Sequence, residues 1–95
     1  MTIRISSRGC TVCGYPDFEA LDEHGHTTFE ICPCCGNESG YEYQAEVDAD
    51  HLQRLRQHWY FDDGGRWWST GARAPENWDA LAQLERAGLN VTPKA

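Results

Sequence analysis

With 95 residues, 8 basic against 15 acidic side chains and a formal net charge of −7, the chain suits one modest domain and is charged against nucleic-acid backbones and anionic membranes. No apolar run approaches the ~18 residues of a membrane span, and Met1-Thr2-Ile3-Arg4-Ile5 lacks the apolar core of an export signal, so the expected setting is the cytoplasm. Five cysteines in that reducing setting favour metal binding or catalysis over disulfides, and an odd number strands one thiol in any full set of bridges.

Residues 2–9 read as a short β segment, with Ile3 and Ile5 alternating with polar neighbours. The first cysteine pair, Cys10 and Cys13, follows. Residues 15–31 read as a hairpin. Phe18 and Leu21 lie on the outgoing arm, Asp22-Glu23-His24-Gly25 makes the turn, and Thr27-Thr28-Phe29-Glu30-Ile31 returns as a strand of residues favoured on a half-buried pleated surface. The second pair comes at Cys32 and Cys35, then a Gly36-Asn37-Glu38-Ser39-Gly40 loop, then one more short strand at Tyr41 and Tyr43. From about Ala45 the period turns helical. Asp48 or Asp50 caps the helix, Gln53 pairs with Asp50 as a capping box, and Leu52, Leu55 and Trp59 form an apolar stripe. Asp62-Asp63-Gly64-Gly65 ends it, and residues 64–75 form a loop carrying Trp67 and Trp68. A second helix opens near Pro75 with Glu76 in its first turn, buries Trp78, Leu81, Ala82 and Leu84, carries Arg86 near its end, and stops at a left-handed Gly88.

The chemistry concentrates in Cys10-Thr11-Val12-Cys13-Gly14 and Cys32-Pro33-Cys34-Cys35-Gly36, two Cys-x-x-Cys pairs separated by 18 residues. That spacing suits a four-cysteine zinc site. Two intervening residues let both sulfurs of a pair reach one ion at ~2.3 Å, and a glycine after each second cysteine supplies positive φ without steric cost. The ligand set expected is Cys10, Cys13, Cys32 and Cys35, holding one ion per chain. Four protein ligands close the site to water, so the metal is structural and Lewis-acid hydrolysis is not expected. Cys34 can in principle replace either neighbour as ligand, but Cys32 with Cys35 keeps the two-residue gap. Cys34 then reads as a small, partly buried filler, the sharper alternative being a redox-responsive thiol beside the metal.

Cys-Thr-Val-Cys-Gly-Tyr at 10–15 and Cys-Pro-Cys-Cys-Gly at 32–36 resemble the two knuckles of rubredoxins and rubredoxin-like zinc ribbons. The resemblance covers 10–16 and 30–36. It implies the same four ligands, and it makes a rubredoxin-like electron carrier with iron in the cage the alternative function. This chain departs from rubredoxins in its closer knuckles and in the roughly sixty residues beyond the second one. It also resembles small bacterial proteins named for a Cys-Pro-Cys-Cys motif, through Gly14-Tyr15 and Glu30-Ile31-Cys32-Pro33-x-Cys35. In those proteins Cys-Pro-Cys-Cys stands at the first knuckle, and here it stands at the second. That kinship implies a metal-binding fold and no particular activity.

His24, His26, His51 and His58 read as solvated histidines, because a zinc site closes at four ligands. His51 and His58 share a helix face and would need a third ligand to make a weak second site. Trp59 and Trp78 read as core. Trp67, Trp68 and Arg66 sit in a loop, and one of the two adjacent indoles is expected at the surface as an interaction site. No nucleophile elbow, phosphate-cradling glycine loop or His-Glu-x-x-His occurs.

The reading is an α+β domain spanning 1–95. A rubredoxin-like zinc ribbon of short antiparallel strands fills 1–44, two helices pack on it over 45–90, and a flexible tail covers 91–95. The expected function is a non-catalytic structural zinc protein that recognises another protein and binds neither nucleic acid nor membrane.

Overall fold

Ile3 stands opposite Val47, and their pairing carries the N-terminus across to the start of the helical half. In the computed structural model, which describes residues 1–92, β1 (Thr2–Arg4) runs antiparallel to β2 (Glu46–Asp48). The register is Thr2↔Asp48, Ile3↔Val47 and Arg4↔Glu46, and the Ile5 N–H extends the ladder to the Ala45 carbonyl at 3.0 Å. β2 thus lies in the stretch expected to open the helical half.

The hairpin expected over 15–31 forms only around its turn. Leu21 bridges Thr27, Gly25 N–H donates to the Asp22 carbonyl, and the Asp22 carboxylate accepts the N–H groups of His24 and His26, each at 2.9 Å. Thr28 is the last residue of the return arm to pair with the outgoing arm, through its N–H to the Ala20 carbonyl and its hydroxyl to the Glu19 carbonyl. Phe29 then takes a left-handed backbone, φ 58°, which ends the arm and leaves the ring exposed. Ile31, expected to be half-buried in a strand, is also exposed and meets Glu38 in a single bridge. The strand expected at Tyr41 and Tyr43 is instead a turn closed by Gly40 N–H to the Tyr43 carbonyl. Its alternation survives in burial: Tyr43 is in the core and Tyr41 is in solvent.

α1 (Ala49–Gln57) follows β2 directly, with Asp48 at its cap position. The Asp48 carboxylate makes no side-chain cap bond; it pairs with the Met1 amine at 2.8 Å, and no capping box forms with Gln53. α1 passes into one π-helical turn at His58–Asp62, where the Asp63 N–H reaches back to the His58 carbonyl. The stripe expected on this helix is real: Leu52 and Trp59 are buried and Leu55 is partly so.

α2 (Ala80–Arg86) begins five residues beyond the expected Pro75. Asn77 at φ 58° interrupts any helix opened at Pro75, and the Asp79 carboxylate accepts the Ala82 N–H at 2.8 Å as a true N-cap. The shift re-aims the helix: Gln83 and Leu84 are buried, whereas Leu81, expected inside, is 44% exposed. Its C-terminus is as expected. Gly88 at φ 71° lets Leu89 N–H bond the Leu84 carbonyl and Gly88 N–H bond the Glu85 carbonyl, the paired signature of a left-handed helix stop. Of the segment expected to be a tail, Thr92 exchanges hydrogen bonds with the Gln57 side chain, and residues 93–95 lie outside the described residues.

One core joins both halves. Val12, Phe18, Ala20, Leu21 and Tyr43 from the cysteine-bearing half meet Val47 from β2 and Leu52, Trp59 and Leu84 from the helical half, with all five cysteines among them. No helix among the described residues is long and apolar enough to cross a membrane.

Candidate metal centre

The two knuckles are built alike. Cys10 N–H bonds the Tyr15 carbonyl and Gly14 N–H bonds the Cys10 carbonyl, at 2.9 and 2.8 Å; Cys32 N–H bonds the Asn37 carbonyl and Gly36 N–H bonds the Cys32 carbonyl, at 3.0 and 2.8 Å. Each loop turns through its glycine, Gly14 at φ 85° and Gly36 at φ 80°. These are the positions where the sequence placed glycine for that purpose.

The loops face each other so that the sulfurs of Cys10, Cys13, Cys32 and Cys35 all lie within 4.8 Å of one another. Cys10 Sγ stands 3.7 Å from Cys35 Sγ, and Cys13 Sγ stands 3.7 Å from Cys32 Sγ. Sulfurs at ~2.3 Å around one tetrahedral ion are ~3.8 Å apart, so the cage has the size to hold a single metal ion. The sulfurs are far beyond disulfide length, and all five cysteines are free and buried. Among the described residues, these four cysteines are the group of His, Cys, Asp or Glu side chains that can hold a metal ion.

The cage welcomes one negative charge and resists the next. Cys10 is held well below its usual thiol value because the thiols of Cys13, Cys32 and Cys35 hydrogen-bond its sulfur. Burial, then the neighbouring thiols with Cys10 first, pushes Cys13 up, and Cys10 likewise holds Cys35 well above the usual range. Four thiolates coexist in such a pocket only around a cation.

Side chains that the sequence reading did not single out hold the cage from outside. Asn37 Nδ2 donates to Cys35 Sγ at 3.3 Å, which supports charge on that sulfur. Arg56, 6% exposed, reaches from α1 and donates through Nε to the Val12 carbonyl at 2.7 Å and through a terminal nitrogen to the Thr11 carbonyl at 2.8 Å. Burial pulls its pKa below the usual guanidinium value, opposed by the negative charge of Cys10 and Cys13. Gln83 reaches from α2 and donates to the Cys13 carbonyl at 3.0 Å and to Cys34 Sγ at 3.4 Å. A signal for Arg56 existed: it lies four residues after Leu52 and three before Trp59, inside the apolar stripe.

Cys34 is fully buried and outside the cage, with the Trp68 N–H on its carbonyl at 2.9 Å. His24 and His26 are exposed at the turn, with ring centroids 6.3 Å apart. His51 meets the Glu42 carbonyl at 2.8 Å, and His58 pairs with Asp62, so the two are engaged separately.

The tryptophans divide. Trp59 is buried, with its indole N–H on the Arg66 carbonyl. Trp67 packs edge-on against Tyr15 at 5.2 Å and Trp78 at 5.6 Å, and donates to the Ala72 carbonyl. Trp68 lays its ring where a Cβ on Gly36 would stand, 2.6 Å from the nearest ring atoms, and remains 54% exposed. Arg66 is exposed beside it. Of the three residues expected at an interaction surface, Trp68 and Arg66 are exposed and Trp67 is turned inward.

No known protein family, curated protein or solved structure matches this chain.

Proposed function

We propose that this chain is a non-catalytic, cytoplasmic zinc protein in which one ion per chain clamps two rubredoxin-like knuckles and thereby anchors the helical half. The convergence of four buried sulfurs within 4.8 Å carries the reading. A closed tetrathiolate leaves no open coordination position for substrate, which favours a structural role over catalysis. The helical half depends on the knuckles directly: α1 grips the first through Arg56, α2 grips it through Gln83, and the 68–69 segment pairs with residues 33–34 of the second.

The metal is tested by elemental analysis of protein purified without added metal. One equivalent of zinc per chain supports the reading; a red protein with one equivalent of iron replaces it with an electron carrier. The half-exposed Trp68 and Arg66, above the second knuckle on an acidic chain, supply a surface for another protein rather than for nucleic acid or membrane. Affinity capture with wild type and Trp68→Ala tests this, because loss of no partner on substitution counts against recognition through that edge.

A further inference from the structure

Arg56 is a buried cation with no carboxylate partner among the described residues. Among the described residues its partners are the carbonyls of Thr11 and Val12 and the side-chain oxygen of Gln53, all neutral, and no ion pair includes it. At 6% exposure it has little water to screen it. Neutral acceptors only partly offset the cost of burying a charge, so a guanidinium in this position is stabilised by a negative charge nearby. The backbone oxygens it holds belong to Thr11 and Val12, the two residues between Cys10 and Cys13, which seats the guanidinium against the first knuckle of the cage.

We propose that Arg56 is the counter-ion of the tetrathiolate and makes this cage prefer a divalent ion to a trivalent one. The inference rests on the metal-centre reading above and extends it to the valence of the ion. Four thiolates around a divalent ion leave two net negative charges, and around a trivalent ion one. A fixed positive charge beside the first knuckle stabilises the former more. Arg suits the position because it stays charged when buried and its planar fork satisfies two carbonyls at once. It acts through charge and through the knuckle backbone, and touches no sulfur directly, so it is a positioning residue.

The test uses the full chain loaded with iron, whose ferric/ferrous potential reads the preference for valence. Loss of the charge in Arg56→Gln is expected to shift the ratio of ferrous to ferric binding about tenfold toward ferric, a fall of about 59 mV for one electron. Arg56→Lys, which keeps the charge and loses the fork, is expected to stay near wild type. Arg56→citrulline, made by chemical ligation, keeps fork donors without charge; it is expected to follow Gln and serves if Arg56→Gln does not fold. A potential that falls in the Lys variant as far as in the Gln or citrulline variant, or that falls in none, overturns the counter-ion role while leaving the metal centre intact. A chain that takes up neither iron nor zinc overturns both.

Discussion

The side-chain amide of Gln83 donates to the backbone carbonyl of Cys13 at 3.0 Å, across 70 positions of sequence. The same amide nitrogen lies 3.4 Å from Cys34 Sγ, and the amide oxygen accepts the indole N–H of Trp78 at 2.9 Å. One buried side chain thus ties α2, a knuckle and the aromatic cluster together.

Gln83→Ala should therefore destabilise the metal-loaded protein by about 2–3 kcal/mol, because it strands a buried carbonyl and a partly buried indole N–H together. Gln83→Glu should cost more at neutral pH: a carboxylate cannot donate to Cys13 and adds negative charge beside the thiolates. Urea unfolding of the three loaded proteins ranks them, and equal midpoints for Gln83→Ala and wild type would refute the tie.

The glycines separate backbone strain from crowding. At Gly88, φ 71° with nothing within 4 Å, alanine should cost about 1–2 kcal/mol from backbone strain alone. At Gly14, φ 85°, the new Cβ would stand 2.8 Å from the Ala87 Cβ and 3.3 Å from the Gln83 carbonyl oxygen, so Gly14→Ala should cost about 2–4 kcal/mol and push α2 off the knuckle. Gly36→Ala should fall between them, because its Cβ meets the half-exposed Trp68 ring, which can swing out. Thermal unfolding of the three variants gives the order, and a Gly88 variant weaker than the Gly14 variant would contradict it.

Cys34→Ser should retain one metal ion per chain, whereas serine at Cys10, Cys13, Cys32 or Cys35 should lose most of the affinity. Metal uptake should also release protons at neutral pH, since Cys13 and Cys35 sit above the usual thiol value of 9.0 and must be deprotonated to ligate. Affinity consequently falls as pH falls. Chelator competition across pH, with proton release followed by an indicator dye, checks the sign and the ligand set together.

Asp22 supplies a pH dependence at the hairpin turn. The backbone N–H of His26, then that of His24, holds its carboxyl below the ordinary 3.8. A depressed folded value contributes stability that is present above 3.8 and lost as pH falls through the folded midpoint. Carbon-detected NMR should place the Asp22 midpoint below 3.8, and Asp22→Asn, which keeps an acceptor oxygen, should flatten the stability profile in that window. An Asp22 that titrates at the ordinary value would remove the effect.

What the amino-acid order determined on its own is local. Two residues between cysteines and a glycine after each pair dictate a knuckle, because the turn needs only its own backbone bonds and one positive φ. A stripe at Leu52, Leu55 and Trp59 dictates a helix, and Gly88 its stop, for the same reason. Where the chain misled, partners distant in sequence decided. Thr27–Ile31 has strand residues, but beyond Thr28 the arm leaves its hairpin partner and meets the 38–39 turn in a single bridge. β1 found its partner at Glu46–Asp48, more than forty positions away, where no turn signal announces the pairing. Pro75 lost the helix start to Asp79, whose carboxylate closes a bond that proline cannot make. Arg56 and Gln83 look like surface residues because a polar side chain is placed inside only when tertiary packing brings it acceptors. Here the outward-facing carbonyls of the first knuckle supply them, and only the assembled fold puts those carbonyls within reach.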